Sequence, residues 1–234
     1  MRMLRNILLN PFFLAPLVTV FLLTALITQP VLWPARGRSV PSVRQETLKG
    51  HVEMLAEKLH PRCYDSPDNL EAAARYIERY FAAAGGRVSR QQFSVDGLGY
   101  SNVIASFGPP GPTLVIGAHY DSYGENYQEP PLYTPGADDN ASGVAGLLAL
   151  ADLLGAHPPA KQVTLVAYCL EEPPFFRTNQ MGSAMHAALA NEARTTIIGV
   201  ISLEMLGYFS DAPGSQTYPA DFMTLVYPDT GNFI

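Results

Sequence analysis

Three uninterrupted apolar runs dominate the second half of the chain and give it the pattern of a buried parallel sheet. They are TLVIGAH from residue 113, VTLVAYCLE from residue 163 and IIGVISLE from residue 197. Strands that are buried on both faces read as continuous apolar runs, whereas half-exposed strands alternate. The segments between them, Asn140–Leu154 and Met181–Glu192, carry apolar residues at helical spacing. This order predicts an α/β domain whose helices cover the sheet.

The preceding part of the chain predicts two helices followed by two strands. Helical patterns cover Thr47–Leu59 and Asn69–Ala84, the second introduced by SPDN, whose residue types start helices. Short segments bounded by glycines at Arg87–Val95 and Asn102–Phe107 read as strands, and Phe222–Ile234 begins another strand-like run. Together the elements predict a three-layer α/β/α fold with a mixed, mostly parallel sheet.

The amino-terminal segment is strongly apolar and predicts an appendage to this domain. Residues 6–35 contain no charged side chain, and PFFLAPLVTVFLLTALI occupies Pro11–Ile27. About 20 apolar residues span a bilayer as a helix, so we expect a membrane segment here. Arg2 and Arg5 precede it and favour a cytoplasmic amino terminus, which places the rest of the chain in the periplasm or outside the cell.

Two interpretations of this segment remain open, an uncleaved signal anchor and a cleaved signal peptide. The following TQPVLWPARG offers no clear small-x-small cleavage site, which favours the anchor. The predicted organisation is a signal anchor or signal peptide over 1–33, a linker over 34–44 and one folded domain over 45–234. Signal cleavage would instead give a secreted protein.

Charge and cysteine content narrow the classes of partner. All 21 acidic residues lie at or after Glu46, whereas five of the 15 basic residues precede it. Residues 45–234 therefore carry ten basic and 21 acidic side chains, which gives a net charge of −11. This balance argues against nucleic acid as a partner. Cys63 and Cys169 are too few for a disulfide-built fold, and we expect both to be unpaired.

Each of the three apolar runs ends in a side chain that can bind a metal. His119 follows TLVIGA, Glu171 and Glu172 follow VTLVAYCL, and Glu204 follows IIGVISL. Ligands of open α/β sheets bind at the carboxyl ends of the strands. Because buried charges without a partner are costly, convergence on a cation would explain this placement. Pro173 then ends the strand, so both glutamates can face one cavity.

Two further acidic positions extend this candidate site. Asp121 lies two residues after His119, on the same side of an extended backbone, where a carboxylate can hold one imidazole nitrogen while the other binds a metal. Taken alone, this pair also suits an ordinary polar contact. PGADDNASG, residues 135–143, places Asp138 and Asp139 directly before a helix, where capping explains one acid and hardly two.

Five short motifs, in this order, resemble the co-catalytic two-zinc aminopeptidase family, the peptidases of the bacterial leucyl aminopeptidase type. They are GAHYDS (117–122), PGADDNASG (135–143), LEEPPFF (170–176), MGS (181–183) and SLEMLGYF (202–209). Glutaminyl cyclases and the transferrin-receptor ectodomain share the fold of this family. The resemblance covers about residues 45–234 and implies a zinc-exopeptidase-like fold, a peptide substrate and hydrolysis of its N-terminal residues.

The resemblance also implies a zinc site built from four of these residues. His119, Asp139 and Glu204 would hold one zinc, and Asp139 would bridge to a second zinc that Glu172 also binds. Glu204 stands where many relatives have aspartate. The resemblance thus implies two zinc ions in a complete site.

The other two residues, Glu171 and Asp121, would act on the substrate and on the zinc ligand His119. The resemblance implies that Glu171 is the general base and that Asp121 orients His119. It further implies a cis peptide bond after Asp139, which is frequent in this family.

The second zinc would lack its last ligand in this sequence. The family takes that ligand from a histidine well beyond SLEMLGYF, and no histidine follows His186. We therefore expect a fragment or a prematurely terminated product that is inactive by itself, because a missing ligand weakens metal binding.

Two other functions stay open beside the aminopeptidase. A glutaminyl-cyclase-like aminoacyltransferase uses a single zinc but needs the same later histidine. A non-catalytic membrane-anchored binding domain, as in the transferrin receptor, keeps the fold after its metal ligands are lost. The retained histidine and acids speak against the binding domain, and the motifs leave the oligomeric state undetermined.

Overall fold

The chain divides into two units, Met1–Ser42 and Val43–Ile234. The computed structural model describes residues 15–23, 43–125, 130, 132–218, 220–225 and 227–232. In the first unit, residues 15–23 form an exposed helix, and the rest of the predicted membrane segment lies outside the described residues. Within the described part of the chain, no helix combines the length and the apolarity that a membrane crossing needs.

The second unit contains four helices and seven strands among its described residues. The helices are α1 (Gln45–Glu53), α2 (Pro67–Ala83), α3 (Gly143–Ala156) and α4 (Gly182–Glu192). The strands are β1 (Arg87–Val95), β2 (Leu98–Phe107), β3 (Thr113–His119), β4 (Gly124–Glu125), β5 (Leu132–Tyr133), β6 (Gln162–Tyr168) and β7 (Ile197–Ser202). A π-helical turn extends α1 over Met54–Lys58, and a turn over Ala137–Ser142, in which Asp139 and Asn140 have non-helical backbone angles, leads into α3.

A five-stranded mixed sheet forms the centre of this unit. Its strand order is β1-β2-β6-β3-β7, and β4 and β5 form a separate antiparallel pair. β2 pairs antiparallel with β1 and β6, whereas β3 pairs parallel with β6 and β7. Four of the five strands therefore point the same way, with two antiparallel and two parallel pairings, and the prediction of a mixed sheet is confirmed.

The sheet separates two layers of helix because side chains alternate between its faces. One face packs against α2 and α3 in the main core, where Val103 and Ala105 of β2 meet residues such as Ile77 and Val144. On the other face, Asn102 Nδ2 donates a hydrogen bond to Gly182 O of α4 at 2.7 Å. The described elements thus form three layers.

The parallel strands bring the predicted site residues to one edge of the sheet. His119, the last residue of β3, is aligned with Tyr168, the last residue of β6. Gly117 is aligned with Ser202, the last residue of β7, and its carbonyl accepts a hydrogen bond from Leu203 N at 2.8 Å. The chain segments that follow β6 and β7 therefore begin beside the end of β3.

The segment after β7 differs from the prediction. The sequence predicts a strand-like run from Phe222, but a 3-10 turn occupies Asp221–Leu225 and the described residues that follow it contain no strand. That prediction is wrong because the backbone there satisfies its hydrogen bonds locally. Met223 N donates to Ala220 O and Tyr227 N donates to Met223 O.

Two glycines of α3 allow a test of how closely this helix is packed. A Cβ atom at Gly155 would overlap the carbonyl oxygen of Ala84, whereas one at Gly146 would lie 3.3 Å from the movable Cδ1 of Leu206. We expect Gly155→Ala to lower the free energy of unfolding by about 1–3 kcal/mol, as overpacking does. The matched Gly146→Ala should be neutral or stabilising by up to about 1 kcal/mol. Urea denaturation followed by circular dichroism measures both, and equal effects would contradict this packing.

Candidate metal centre

One imidazole lies at the centre of the candidate site. His119 is 3% exposed, and its Nε2 atom lies 3.1 Å from Asp139 Oδ1 and 3.2 Å from Glu204 Oε1. Glu171 Oε2 lies 3.8 Å from the same nitrogen. Three of the predicted carboxylates therefore surround a single nitrogen atom, and they come from three different parts of the chain.

These carboxylates change the proton affinity of the imidazole. Burial acts to lower the pKa of His119, but the contacts with Asp121, Asp139 and Glu204 outweigh burial and raise this pKa. The hydrogen bond with His119 in turn lowers the pKa of Asp139. The site thus stabilises a positive charge at its centre, which is the electrostatic condition for binding a cation.

Asp121 contacts the second nitrogen of the imidazole. Its Oδ1 lies 3.4 Å from His119 Nδ1, which is within ion-pair range, although neither buried atom has a hydrogen-bond partner among the described residues. Its Oδ2 accepts a hydrogen bond from Glu172 N at 3.0 Å. Asp121 therefore lies between the end of β3 and the segment after β6, where a carboxylate can fix the orientation of the ring.

Glu171 and Glu172 lie in the bend that follows β6. Asn102 anchors the start of this bend, because its Oδ1 accepts a hydrogen bond from Cys169 N at 3.0 Å. Burial raises the pKa of Glu172 to about 8, and the charges of Asp139 and Asp121 add to this shift. Burial also raises the pKa of Glu171. Both glutamates therefore hold a proton more readily than an exposed glutamate, as expected where several acids share one site.

The turn before α3 presents Asp139. Gly136 has φ 60° and ψ 46°, a left-handed conformation that favours glycine, and a Cβ there would meet Ser122 Cβ at 2.6 Å. Asp138 does not join the carboxylates around His119, since its Oδ1 accepts a hydrogen bond from Gly207 N at 2.7 Å. The Asp139–Asn140 peptide bond is cis, as the family resemblance implies.

Asn140 connects the turn before α3 to the end of β7. The sequence did not predict this connecting role. Its side chain is fully buried, with Nδ2 donating to Leu203 O at 2.8 Å and to Glu204 Oε2 at 3.2 Å. Its Oδ1 accepts hydrogen bonds from Gly143 N at 3.0 Å and Met205 N at 3.3 Å. An amide before a helix signals capping, and only the fold shows that it also holds Glu204.

The donor atoms of this site suit zinc. His119, Asp139 and Glu204 offer ligand atoms that all lie within 4.8 Å of one another, and so do His119, Glu171 and Glu172. Zinc takes imidazole nitrogen and carboxylate oxygen as ligands. The first group is the set predicted for one zinc. Glu172 groups with His119 and Glu171, and its pairing with Asp139 at a second zinc stays a prediction.

Comparison with known sequences places the site within a peptidase family. Residues 102–226 match peptidase family M28. Protein YfbL of Escherichia coli K12, described as uncharacterized, is 50% identical over 190 residues, which is 81% of this chain and 58% of that protein. Leucine aminopeptidase 1 of Metarhizium robertsii is 32% identical over 106 residues, 43% of this chain and 26% of that enzyme. The chain thus spans less than two thirds of the length of these relatives.

Comparison with solved structures shows the same fold. A Zn-dependent exopeptidase from Parabacteroides distasonis has a TM-score of 0.62 and 24% identity, covering 75% of this chain and 65% of that one. The glutaminyl cyclase of Bacteroides thetaiotaomicron, bound to N-acetylhistamine, has a TM-score of 0.61 and 22% identity with the same coverage. The mixed sheet and its helices are therefore the fold of zinc exopeptidases and glutaminyl cyclases.

Zinc is expected to stabilise the fold through His119, which both donor groups share. At about 100 times its Kd, Zn²⁺ should raise the free energy of unfolding by about 2.7 kcal/mol, because it binds only the folded state. His119→Ala should lose this stabilisation, whereas His157→Ala, at an exposed position after α3, should keep it. Thermal unfolding at increasing Zn²⁺ measures the effect, and equal stabilisation of the two variants would count against the centre.

Proposed function

The chain belongs to peptidase family M28, and from this premise we propose that it is the greater part of a zinc-dependent aminopeptidase that removes N-terminal residues from peptides. The observation that carries the proposal is the convergence of three carboxylates on His119 Nε2 at the carboxyl edge of parallel strands. The five ordered motifs and the 32% identity to a leucine aminopeptidase support it.

The proposed zinc ligands are the residues that surround His119. His119, Asp139 and Glu204 would hold one zinc, and Asp139 with Glu172 would contribute to a second. Zinc bound by such residues supplies a Lewis acid that polarises a carbonyl oxygen and lowers the pKa of water. Asp121 Oδ1 lies 3.4 Å from the other imidazole nitrogen, where its charge would keep Nε2 turned toward the carboxylates.

Glu171 is proposed as the general base. Its side chain is 26% exposed, so that a substrate and water can reach it, and Oε2 lies 3.8 Å from His119 Nε2. Burial raises the pKa of Glu171, which brings its proton affinity closer to the neutral range where proton transfer is efficient. From this position its carboxylate can take a proton from the attacking water and pass it to the leaving amine.

A cavity beside these groups offers room for part of a substrate. Its volume is about 330 Å³, and His119, Glu171 and Glu204 line it. Apolar side chains such as Met181 and Ile201 contribute to the rest of the wall, together with Ser183 and His186. Mostly apolar clefts with a few convergent polar groups are typical binding sites for small molecules and side chains.

For the 234-residue polypeptide taken by itself, we propose inactivity. Its 234 residues contain no histidine after His186, where the family resemblance places the last ligand of the second zinc. Aminopeptidase turnover by this polypeptide alone would contradict that proposal without touching the family assignment. The tests of catalysis below therefore use a version of the protein that also supplies the later histidine.

Glu171→Gln is expected to reduce hydrolysis of aminoacyl-anilides by about 10²–10⁴-fold, because the amide cannot accept the proton of water. Zinc content should be unchanged, since His119, Asp139 and Glu204 remain. Glu192→Gln, at an exposed position of α4, is the matched control and should keep full turnover. Undiminished hydrolysis by Glu171→Gln would refute the assignment of the base.

The second candidate function is an aminoacyl-cyclising transferase. The fold likeness to the glutaminyl cyclase of Bacteroides thetaiotaomicron favours it, as does the compact group of His119, Asp139 and Glu204, which offers three ligand atoms to a single zinc. A peptide that begins with glutamine distinguishes the two. Formation of pyroglutamate without peptide hydrolysis would select the cyclase, and release of free glutamine would select the aminopeptidase.

We also propose that the chain is anchored in a membrane by its first 33 residues, with the domain outside the cytoplasm. The uncharged stretch from 6 to 35 and the two preceding arginines support this location. An alkaline phosphatase fused after Val43 should then be active in bacterial cells and should remain in the membrane pellet after carbonate extraction. Inactive phosphatase would refute the location, and release into the supernatant would favour signal cleavage.

A further inference from the structure

Arg62 is the largest fully buried side chain of the described residues, and it lies outside the motifs that identify the site. It precedes Cys63 in the turn between α1 and α2, where the sequence reads HPRCYDSPDN. A buried guanidinium has to find acceptors for its N–H groups, because an unsatisfied buried charge is costly. The position of these acceptors shows what the residue holds together.

The guanidinium donates to four backbone carbonyl groups. Nε donates to Tyr120 O at 2.8 Å and Nη2 donates to Gly136 O at 3.0 Å. Nη1 donates to Pro135 O at 3.1 Å and, by a short hydrogen bond, to Leu55 O. In addition, the backbone carbonyl of Arg62 accepts a hydrogen bond from Ser122 N at 3.0 Å.

Two of the bonded segments carry residues of the metal centre. Tyr120 lies between His119 and Asp121, so its carbonyl is part of the backbone that sets both side chains. Gly136 begins the turn that presents Asp139, and its carbonyl also accepts a hydrogen bond from Ala141 N at 3.1 Å. A single side chain therefore joins the end of β3 to the turn before α3.

We propose that Arg62 is a positioning residue of the metal centre, which fixes the distance between His119 and Asp139 by bonding the backbone beside each of them. It touches neither of these side chains. The inference rests on the metal centre of the proposed function, but it concerns zinc affinity and not the reaction catalysed.

The shape of the guanidinium explains why arginine suits this position. Its planar group points N–H donors in several fixed directions, so it reaches Tyr120 O on one side and Gly136 O on the other. A lysine ammonium carries its three donors on one atom and cannot reproduce this span. Burial lowers the pKa of Arg62 to about 10, opposed by the charge of Asp121, so the group remains protonated at neutral pH.

The test compares the zinc affinity of variants of the whole chain with chelator competition, using Zn²⁺ alone as the probe. Arg62→Met removes all donors at similar length, and we expect a loss of about 10–100-fold in zinc affinity, the range seen when supports of metal ligands are removed. Arg62→Lys keeps the charge and should lose affinity as well. If Arg62→Met does not fold, Arg62→Lys decides the question.

A matched control separates positioning from general destabilisation. Ile77→Ala truncates a fully buried side chain of α2 that is neither a proposed ligand nor a hydrogen-bond partner of Arg62, and it should lower the melting temperature without changing zinc affinity. Substitution of Co²⁺ adds a spectroscopic signature, because its visible absorption follows ligand geometry. We expect an altered spectrum in Arg62→Lys and an unaltered one in Ile77→Ala.

The possible results distinguish failure of the metal centre from failure of the positioning role of Arg62. Absence of zinc binding by the unsubstituted chain would overturn the metal centre, and the role of Arg62 with it. Normal zinc binding by the unsubstituted chain and by Arg62→Lys, with the same Co²⁺ spectrum, would overturn the positioning role alone. An equal loss of affinity in Ile77→Ala would overturn it too, because the loss would then follow stability.

Discussion

Mutual repulsion among carboxylates at one edge of the sheet is the constraint on which the rest of the site depends. Asp139, Glu171 and Glu204 each place an oxygen within 3.8 Å of His119 Nε2. Burial, together with the charges of Asp139 and Asp121, raises the pKa of Glu172 to about 8, so a further negative charge is unfavourable there. A proton on His119 offsets part of this repulsion. A divalent cation offsets more of it, because several oxygen atoms can contact it at once.

Such a concentration of charge needs a rigid frame, and hydrogen bonds and close contacts from Asn140, Asp121 and Arg62 build this frame. Asn140 bonds Leu203 O and Glu204 through one buried amide, and Asp121 meets the imidazole from its other side. Arg62 is a buried cation whose hydrogen bonds go to backbone carbonyls. The carboxylates at the cavity can therefore contact a cation. The backbone behind them is held by hydrogen bonds from Asn140 and Arg62.

The family match and the site coincide along the chain. The matched region, residues 102–226, contains every predicted metal ligand and the proposed base. Arg62 lies before that region, and its importance follows from its contacts alone. The solved structures share the fold at 22–24% identity, and they include both an exopeptidase and a glutaminyl cyclase. The reaction is therefore decided by the site and its surroundings and not by the fold.

The sequence by itself determined the strands of the sheet core and the identity of the acids at their ends. β1 and β3 have the predicted bounds, because apolar periodicity and glycine boundaries are local signals. Only the tertiary structure decided which groups meet. Asp138 accepts a hydrogen bond from Gly207 N, whereas the carboxylate of Asp139 contacts His119. The 3-10 turn at Asp221–Leu225, where a strand was predicted, has local hydrogen bonds. The supporting roles of Asn140 and Arg62, by contrast, appear only in the tertiary structure. Each depends on partners distant in sequence, and no local pattern of residues records which partner a polar group will find.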